Sequence, residues 1–252
     1  MSIFKGAAGV AKNASAAVET ALGNVEEKLH IKEFKYLAYV GIFFVSVLLI
    51  SNVASSKILT LWKFDFDGGT ILFPLSYIFG DVLTEVYGYK RTRPLIWMGM
   101  VMCALMAVVF IIVGKLPPSA GWEGQSAYEM ILGWTPRIVA ASITAYFCGE
   151  FLNSYVLAKL KVITNGKWLW VRTITSTLVG EGADTLIFVA IAFWGVLPEE
   201  LLIAIVVSNY IFKVGVEVLF TPITYLIVGF LKRKEGVDVY DRGTNFNPFK
   251  FG

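Results

Sequence analysis

Apolar residues run through this chain in six long stretches, at 36–56, 70–89, 94–114, 137–158, 171–197 and 201–230, separated by short polar segments. Each stretch has roughly the 20 residues that a helix rising about 1.5 Å per residue needs to cross about 30 Å of hydrocarbon. The pattern therefore predicts an all-α, polytopic membrane protein with six transmembrane helices. The sixth stretch is long and contains Pro222, which predicts a kink or a last turn emerging from the bilayer.

Ahead of these stretches, Val10, Ala14, Ala17, Val18, Ala21, Leu22, Val25 and Leu29 recur at the helical period within a segment rich in Ala, Lys and Glu. Residues 1–35 are expected to form an amphipathic cytoplasmic extension that is not a cleaved signal. Residues 36–231 form the six-helix domain and 232–252 a cytoplasmic tail. Between the first two spans, Trp62-Lys63-Phe64-Asp65-Phe66 alternates and Asp67-Gly68-Gly69 reads as a tight turn, predicting a short extracytoplasmic hairpin or lip. After the third span, Pro117-Pro118 stops the helix, and Trp122 and Trp134 stand where interfacial aromatics are expected.

Basic residues orient the spans, because Lys and Arg near helix ends are retained in the cytoplasm. Lys5, Lys12, Lys28, Lys32 and Lys35 precede the first span, and Lys90, Arg91 and Arg93 lie between the second and third. Lys159, Lys161, Lys167 and Arg172 lie between the fourth and fifth, and Lys232, Arg233, Lys234, Arg242 and Lys250 follow the sixth. The other side carries only Lys57, Lys63 and Lys115. Both termini are expected in the cytoplasm, with the protein in a bacterial inner membrane and the lipid bilayer as its solvent.

Composition agrees and removes alternatives. Of 252 residues, 56% are hydrophobic and only 16% charged, and the mean hydropathy is +0.67, more apolar than soluble domains tolerate. The net charge of +3 is small and its basic residues cluster between apolar runs, so no nucleic-acid partner is expected. His30 is the single histidine and precedes the spans, which excludes a Ser-His-Asp or HExxH device within the membrane. Cys103 and Cys148 lie inside apolar runs without CxxC spacing and read as plain thiols. A Walker A loop is missing: Gly166-Lys167 is followed by Trp168, and Lys161 occupies the first glycine position. Gly180-Glu181-Gly182-Ala183-Asp184 has one residue too many for the GxGD of intramembrane aspartyl proteases. The chain is expected to be no enzyme and to need no cofactor.

The candidate chemistry lies in ionisable residues within the apolar stretches: Asp81, Glu85, Arg137, Glu150, Glu181, Asp184, Lys213 and Glu217. A charge near the bilayer centre costs roughly 2.5–3.5 kcal/mol on insertion scales, so these side chains must face one another or a wet cavity. Asp81 and Glu85 are four apart, as are Lys213 and Glu217, while Glu181 and Asp184 are three apart, so each pair shares a helix face. Six acids against two bases leave carboxylates to be protonated, bonded to amides such as Asn52, Asn153 and Asn209, or held for a ligand. Gly80-Asp81, Gly149-Glu150 and Gly180-Glu181 repeat a glycine before an acid, which would set each acid beside a close helix contact.

These residues resemble those of the queuosine precursor transporter family, also described as vitamin uptake transporter-like proteins, over about residues 36–249. The most specific stretch runs from Phe73 through Phe73-Pro74-Leu75-Ser76-Tyr77 and Gly80-Asp81-Val82-Leu83-Thr84-Glu85 to Lys90. Ser51-Asn52, Gly149-Glu150 with Asn153, Glu181 with Asp184-Thr185, and the tail Tyr240-Asp241-Arg242-Gly243-Thr244-Asn245-Phe246-Asn247-Pro248-Phe249 also match. The resemblance implies import of 7-cyano- and 7-aminomethyl-7-deazaguanine through a six-helix fold. On that reading Asp81, Glu85, Glu150, Glu181 and Asp184 line the substrate site, with Asn153 as amide partner and Lys213 setting their charge. A guanine-like ring could stack on Tyr77, Phe79, Tyr146 or Phe188, although helix packing accounts for the same aromatics. A secondary transporter is expected, with a substrate-capture subunit of a separately energised complex, or a membrane scaffold, as the alternatives. Homo-oligomerisation is left open.

Overall fold

The computed structural model describes residues 34–54, 57–61, 64–132, 136–195 and 198–250. The amphipathic helix expected over 1–35 lies outside them except for Phe34 and Lys35. All else described belongs to one compact unit, Tyr36–Gly252. Among the described residues there are seven α-helices: α1 (Leu37–Ala54), α2 (Phe73–Tyr87), α3 (Tyr89–Lys115), α4 (Gln125–Leu132), α5 (Pro136–Ile163), α6 (Leu169–Phe193) and α7 (Glu199–Glu235).

A small antiparallel hairpin, β1 (Ile58–Leu61) and β2 (Phe64–Asp67), joins α1 to α2, with Ile58 opposite Asp67 and Leu61 opposite Phe64. This register corrects the expected turn. The hairpin tip falls between Leu61 and Phe64, while Asp67 ends β2 and Gly68-Gly69 begin a 3-10 turn, Gly68–Ile71. The Gly68 N–H donates to the Lys57 carbonyl at 2.7 Å and closes the open end of the hairpin. Alternation marked the second strand correctly but could not show that its partner lay upstream.

Among the described residues, four helices are long and apolar enough to cross a membrane: α1, α3, most of α6 and most of α7. The second and fourth apolar stretches differ from these. α2 has 15 residues, about 22 Å of helix, of which 12 are buried. It packs against α1, α3, α5 and α7 as the central element of the bundle. α5 has 28 residues but carries Glu150, Lys159 and Lys161 along its length. Between α2 and α3 there is no loop, only Gly88, whose φ of +81° lies in the region that favours glycine. A Cβ there would also stand 2.6 Å from Val239 Cγ1. Lys90, Arg91 and Arg93 are therefore in the first turns of α3, where a connecting loop was expected.

The distribution of polarity is inverted relative to a soluble protein. Ile42, Val108, Ile112, Ile203, Ile211, Leu219 and Leu226 are exposed, whereas Asp81, Glu85, Glu150, Asn153, Thr173 and Glu217 are buried. Exposed apolar area costs about 25 cal/mol per Å² in water and nothing against lipid, so this surface fits a bilayer. α7 continues through Pro222 and past residue 231 to Glu235. Gly236 caps it in the left-handed conformation, its N–H bonded to the Lys232 carbonyl.

Candidate functional site

A cavity with about 780 Å³ of empty space, its open mouth included, lies in the half of the bundle nearest the hairpin. Ser51 and Asn52 enter from α1, Gly69 from the 3-10 turn, Phe73 from the start of α2, Cys103 from α3, and Ser142 and Tyr146 from α5. Asp184, Thr185 and Phe188 come from α6, Asn209 and Lys213 from α7. The wall thus combines three aromatic rings with hydroxyls, amides and one ion pair.

That ion pair is built in advance of any ligand. The Lys213 ammonium donates to Asp184 Oδ2 at 2.7 Å, lies 2.8 Å from Glu181 Oε2, and stands 4.6 Å from the centre of the Phe73 ring. Glu181 and Asp184 are three residues apart on α6, so one cation on α7 reaches both. An ammonium has three donors, and two directed at Glu181 and Asp184 leave the third for a ligand.

Behind the cavity, three glycines bring α2, α5 and α6 together. A Cβ on Gly149 would stand 2.8 Å from Asp184 Cβ and 3.0 Å from the Gly180 carbonyl. One on Gly180 would stand 2.7 Å from Asn153 Cβ, and one on Gly80 would collide with Glu150 Oε1. The three glycine–acid pairs therefore converge on one packed seam. Tyr77 is fully buried there against Gly149 and Gly180, and Phe79 packs on Phe43 at 4.6 Å between ring centres, so both serve packing. Within the seam Asn153 Nδ2 donates to Asp81 Oδ1 at 2.6 Å. Glu150 and Glu217 are buried with no hydrogen-bond partner on either oxygen.

Glu85 lies apart, toward the end of the bundle opposite the cavity. Its Oε1 accepts from Arg172 at 2.9 Å and Lys232 at 2.6 Å, and Lys161 Nζ lies 3.5 Å away. Lys161 also donates to the Glu85 carbonyl, to Asp238 Oδ1 at 2.5 Å and to the Val239 carbonyl at 2.7 Å. Asp238 bridges Lys161 and Lys232 and starts a tail strapped along α3. Asp241 accepts the Tyr89 N–H at 2.9 Å, Arg93 donates to the carbonyls of Asn245 and Asn247, and Trp97 Nε1 donates to that of Pro248.

Of the seven site residues expected from the sequence, the structure places Asp184 and Lys213 in the cavity wall and Glu181 directly behind them. Glu150, Asp81 and Asn153 lie in the seam, and Glu85 lies in the separate ion cluster. Lys161, Arg172 and Lys232 had been read only as markers of orientation, yet all three converge on Glu85. The available signal was an acid placed at the basic end of its span. Ser142 and Cys103 carried no signal beyond their helical positions, whereas Thr185 was marked only by its place in the family resemblance. The side chain of Arg137 lies outside those described.

Apolar helices facing outward around an ordered polar interior define a multi-pass membrane protein. Residues 67–227 match the family described as "Putative vitamin uptake transporter", and the chain belongs to that family. It is similar to the "Probable queuosine precursor transporter" of Bacillus subtilis, 30% identical over 190 residues covering 74% of this chain and 81% of the relative. It is similar also to the "Queuosine precursor transporter" of Escherichia coli, 27% identical over 192 residues, 75% of this chain and 84% of the relative. No solved structure matches the chain. The protein is a transporter and not an enzyme.

Proposed function

We propose that this transporter imports queuosine precursors, 7-cyano-7-deazaguanine and 7-aminomethyl-7-deazaguanine, across a bacterial inner membrane as a secondary transporter. The names of its relatives support the substrate class. The observation that carries the reading is the Asp184–Lys213 pair at the wall of the cavity. A guanine-like ring presents an N–H and an amino group side by side, which suit the Asp184 carboxylate beside its lysine, and a neighbouring carbonyl, which suits the third lysine donor. Phe188 and Tyr146 offer faces for the ring, and Asn52, Thr185 and Asn209 offer further hydrogen bonds. The aminomethyl form adds a cation that the Glu181–Asp184 acids would attract.

With six spans and both termini in the cytoplasm, the hairpin lies outside and the cavity opens to the external side. The Glu85 cluster and the tail then close the cytoplasmic end. The extension over 1–35 and the tail over 232–252 flank a transmembrane domain at 36–231. The test is uptake of labelled 7-cyano-7-deazaguanine by cells that cannot make it. Uptake that requires this protein, and that is lost in Asp184→Asn with membrane-inserted protein unchanged, supports the reading. Uptake equal with and without the protein contradicts it.

A further inference from the structure

Glu150, like Asp81 and Glu217, has no partner of opposite charge among the described residues, and of the three it is the one that faces Asp184 of the cavity wall. It is 0% exposed, and neither oxygen has a hydrogen-bond partner. Lys213 is engaged by Glu181 and Asp184. Lys161 stands eleven residues further along α5, about 16 Å at the helical rise, and is engaged at Glu85 and Asp238.

The groups that face Glu150 are acids and phenols. α2 presents Tyr77 and Asp81, α6 presents Glu181 and Asp184, and Tyr146 precedes it by one turn on α5. From α3 only Cys103 approaches, on the far side of Tyr146. Gly80 leaves no room for a counter-cation, since even a methyl group there would collide with Glu150 Oε1. Among the described residues, no acid, His or Cys cluster is arranged to hold a metal ion.

An ionised carboxylate in this seam would lack both solvation and a partner, a cost of several kcal/mol. A proton cancels the charge and fits the space. We infer that Glu150 is the proton-carrying residue of the transport cycle, loaded from the cavity past Tyr146 and Asp184 and unloaded when the α2–α5–α6 seam opens to the other side. The step balances as a carboxylate taking one proton from water on one face and returning it to water on the other. Its link to substrate is Asp184, which interacts electrostatically with Glu150 and lines the cavity. Occupancy of the cavity and protonation of Glu150 are thereby coupled, each changing the affinity for the other by the same factor. Glu150 is thus a coupling residue and not a substrate contact.

This inference rests on the secondary-transport reading above, and its test separates the two. Purified wild-type, Glu150→Gln and Glu150→Asp proteins are reconstituted in liposomes. Labelled 7-cyano-7-deazaguanine is followed by exchange without a gradient and by uptake under an imposed inward proton gradient. Glu150→Gln is expected to keep exchange and lose all stimulation by the gradient, while Glu150→Asp keeps both at a reduced rate. Infrared spectra of the same samples should show a protonated-carboxyl carbonyl stretch that is missing in Glu150→Gln and shifted in Glu150→Asp. Equal gradient stimulation in Glu150→Gln and wild type, or a carboxyl band untouched by both substitutions, would overturn the inference. Wild-type protein with neither exchange nor uptake condemns the substrate reading, and the infrared bands still decide whether Glu150 holds a proton.

Discussion

Glu85 and Glu150 are both buried carboxylates on helices of the central seam, yet their surroundings are opposites. Glu85 gathers Arg172, Lys232 and Lys161 onto one oxygen and, through Lys161, ties the tail to the bundle. Glu150 has no cation and no hydrogen-bond partner. A surrounded charge holds elements in place, because removing either side strands the other. An isolated buried acid contributes little to cohesion and is free to change its charge. The end around Glu85 is therefore built to be closed, and the half around Glu150 and the cavity is built to respond.

The comparison is broken most readily at Glu85. Glu85→Leu strands Arg172 and leaves Lys161 and Lys232 sharing only Asp238, and should destabilise the protein by about 3–5 kcal/mol, read as thermal unfolding of the detergent-solubilised protein. Glu150→Leu, by the same assay, should cost under about 1 kcal/mol, since no pairing is lost. Equal losses at the two positions would erase the distinction.

Packing at the seam provides the next largest effect. Gly180→Ala places a methyl group 2.7 Å from Asn153 Cβ and 2.8 Å from the Gly149 carbonyl, and overpacking of this kind costs about 1–3 kcal/mol. Gly182→Ala, whose added methyl group meets only Tyr210 at 3.5 Å, should be tolerated in the same measurement.

The tail supplies a smaller effect. Asp241→Ala removes the acceptor for the Tyr89 N–H and the Thr244 hydroxyl and should cost about 1–2 kcal/mol. Faster tryptic cleavage at Arg242 would report the loosened strap.

The smallest expected effect is in acid. Burial raises the Asp238 carboxyl, but hydrogen bonds and charge from Lys161 and Lys232 outweigh it and hold it below the ordinary aspartate value. A carboxyl depressed by folding stabilises the fold above its unfolded pKa and loses that contribution as pH falls through the folded value. Asp238→Asn should accordingly flatten the acid side of the stability profile by lowering stability slightly at neutral pH and leaving it unchanged in strong acid, the loss being small because Asp238 is partly exposed.

Hydrophobic length located α1, α3, α6 and α7 to within a few residues at most ends, because an apolar run of that size has one stable use in a bilayer. It could not show that α2, only 15 residues long, would be enclosed by its neighbours at the centre of the bundle. Gly88 replaced an expected loop because one left-handed residue can redirect a helix that the basic run Lys90–Arg93 then continues. The glycine–acid pairs were legible because close helix contact demands glycine locally. The Glu85 cluster was not, since its partners lie 76 to 147 residues away and a helix-end lysine reads alike whether it faces headgroups or a carboxylate. Asp184 and Lys213 were named from spacing and burial, but the cavity that exposes them comes from six helices at once.

Cys103 offers the most direct test of the claim that this cavity binds the queuosine precursor, since it lines the wall and is free. With Cys148 replaced by serine, the rate at which a small methanethiosulfonate reagent modifies Cys103 would be measured in reconstituted protein across a range of 7-cyano-7-deazaguanine concentrations. Slowing that saturates at the concentration giving half-maximal uptake is the result expected. Modification at an unchanged rate under concentrations that saturate uptake would place the substrate elsewhere.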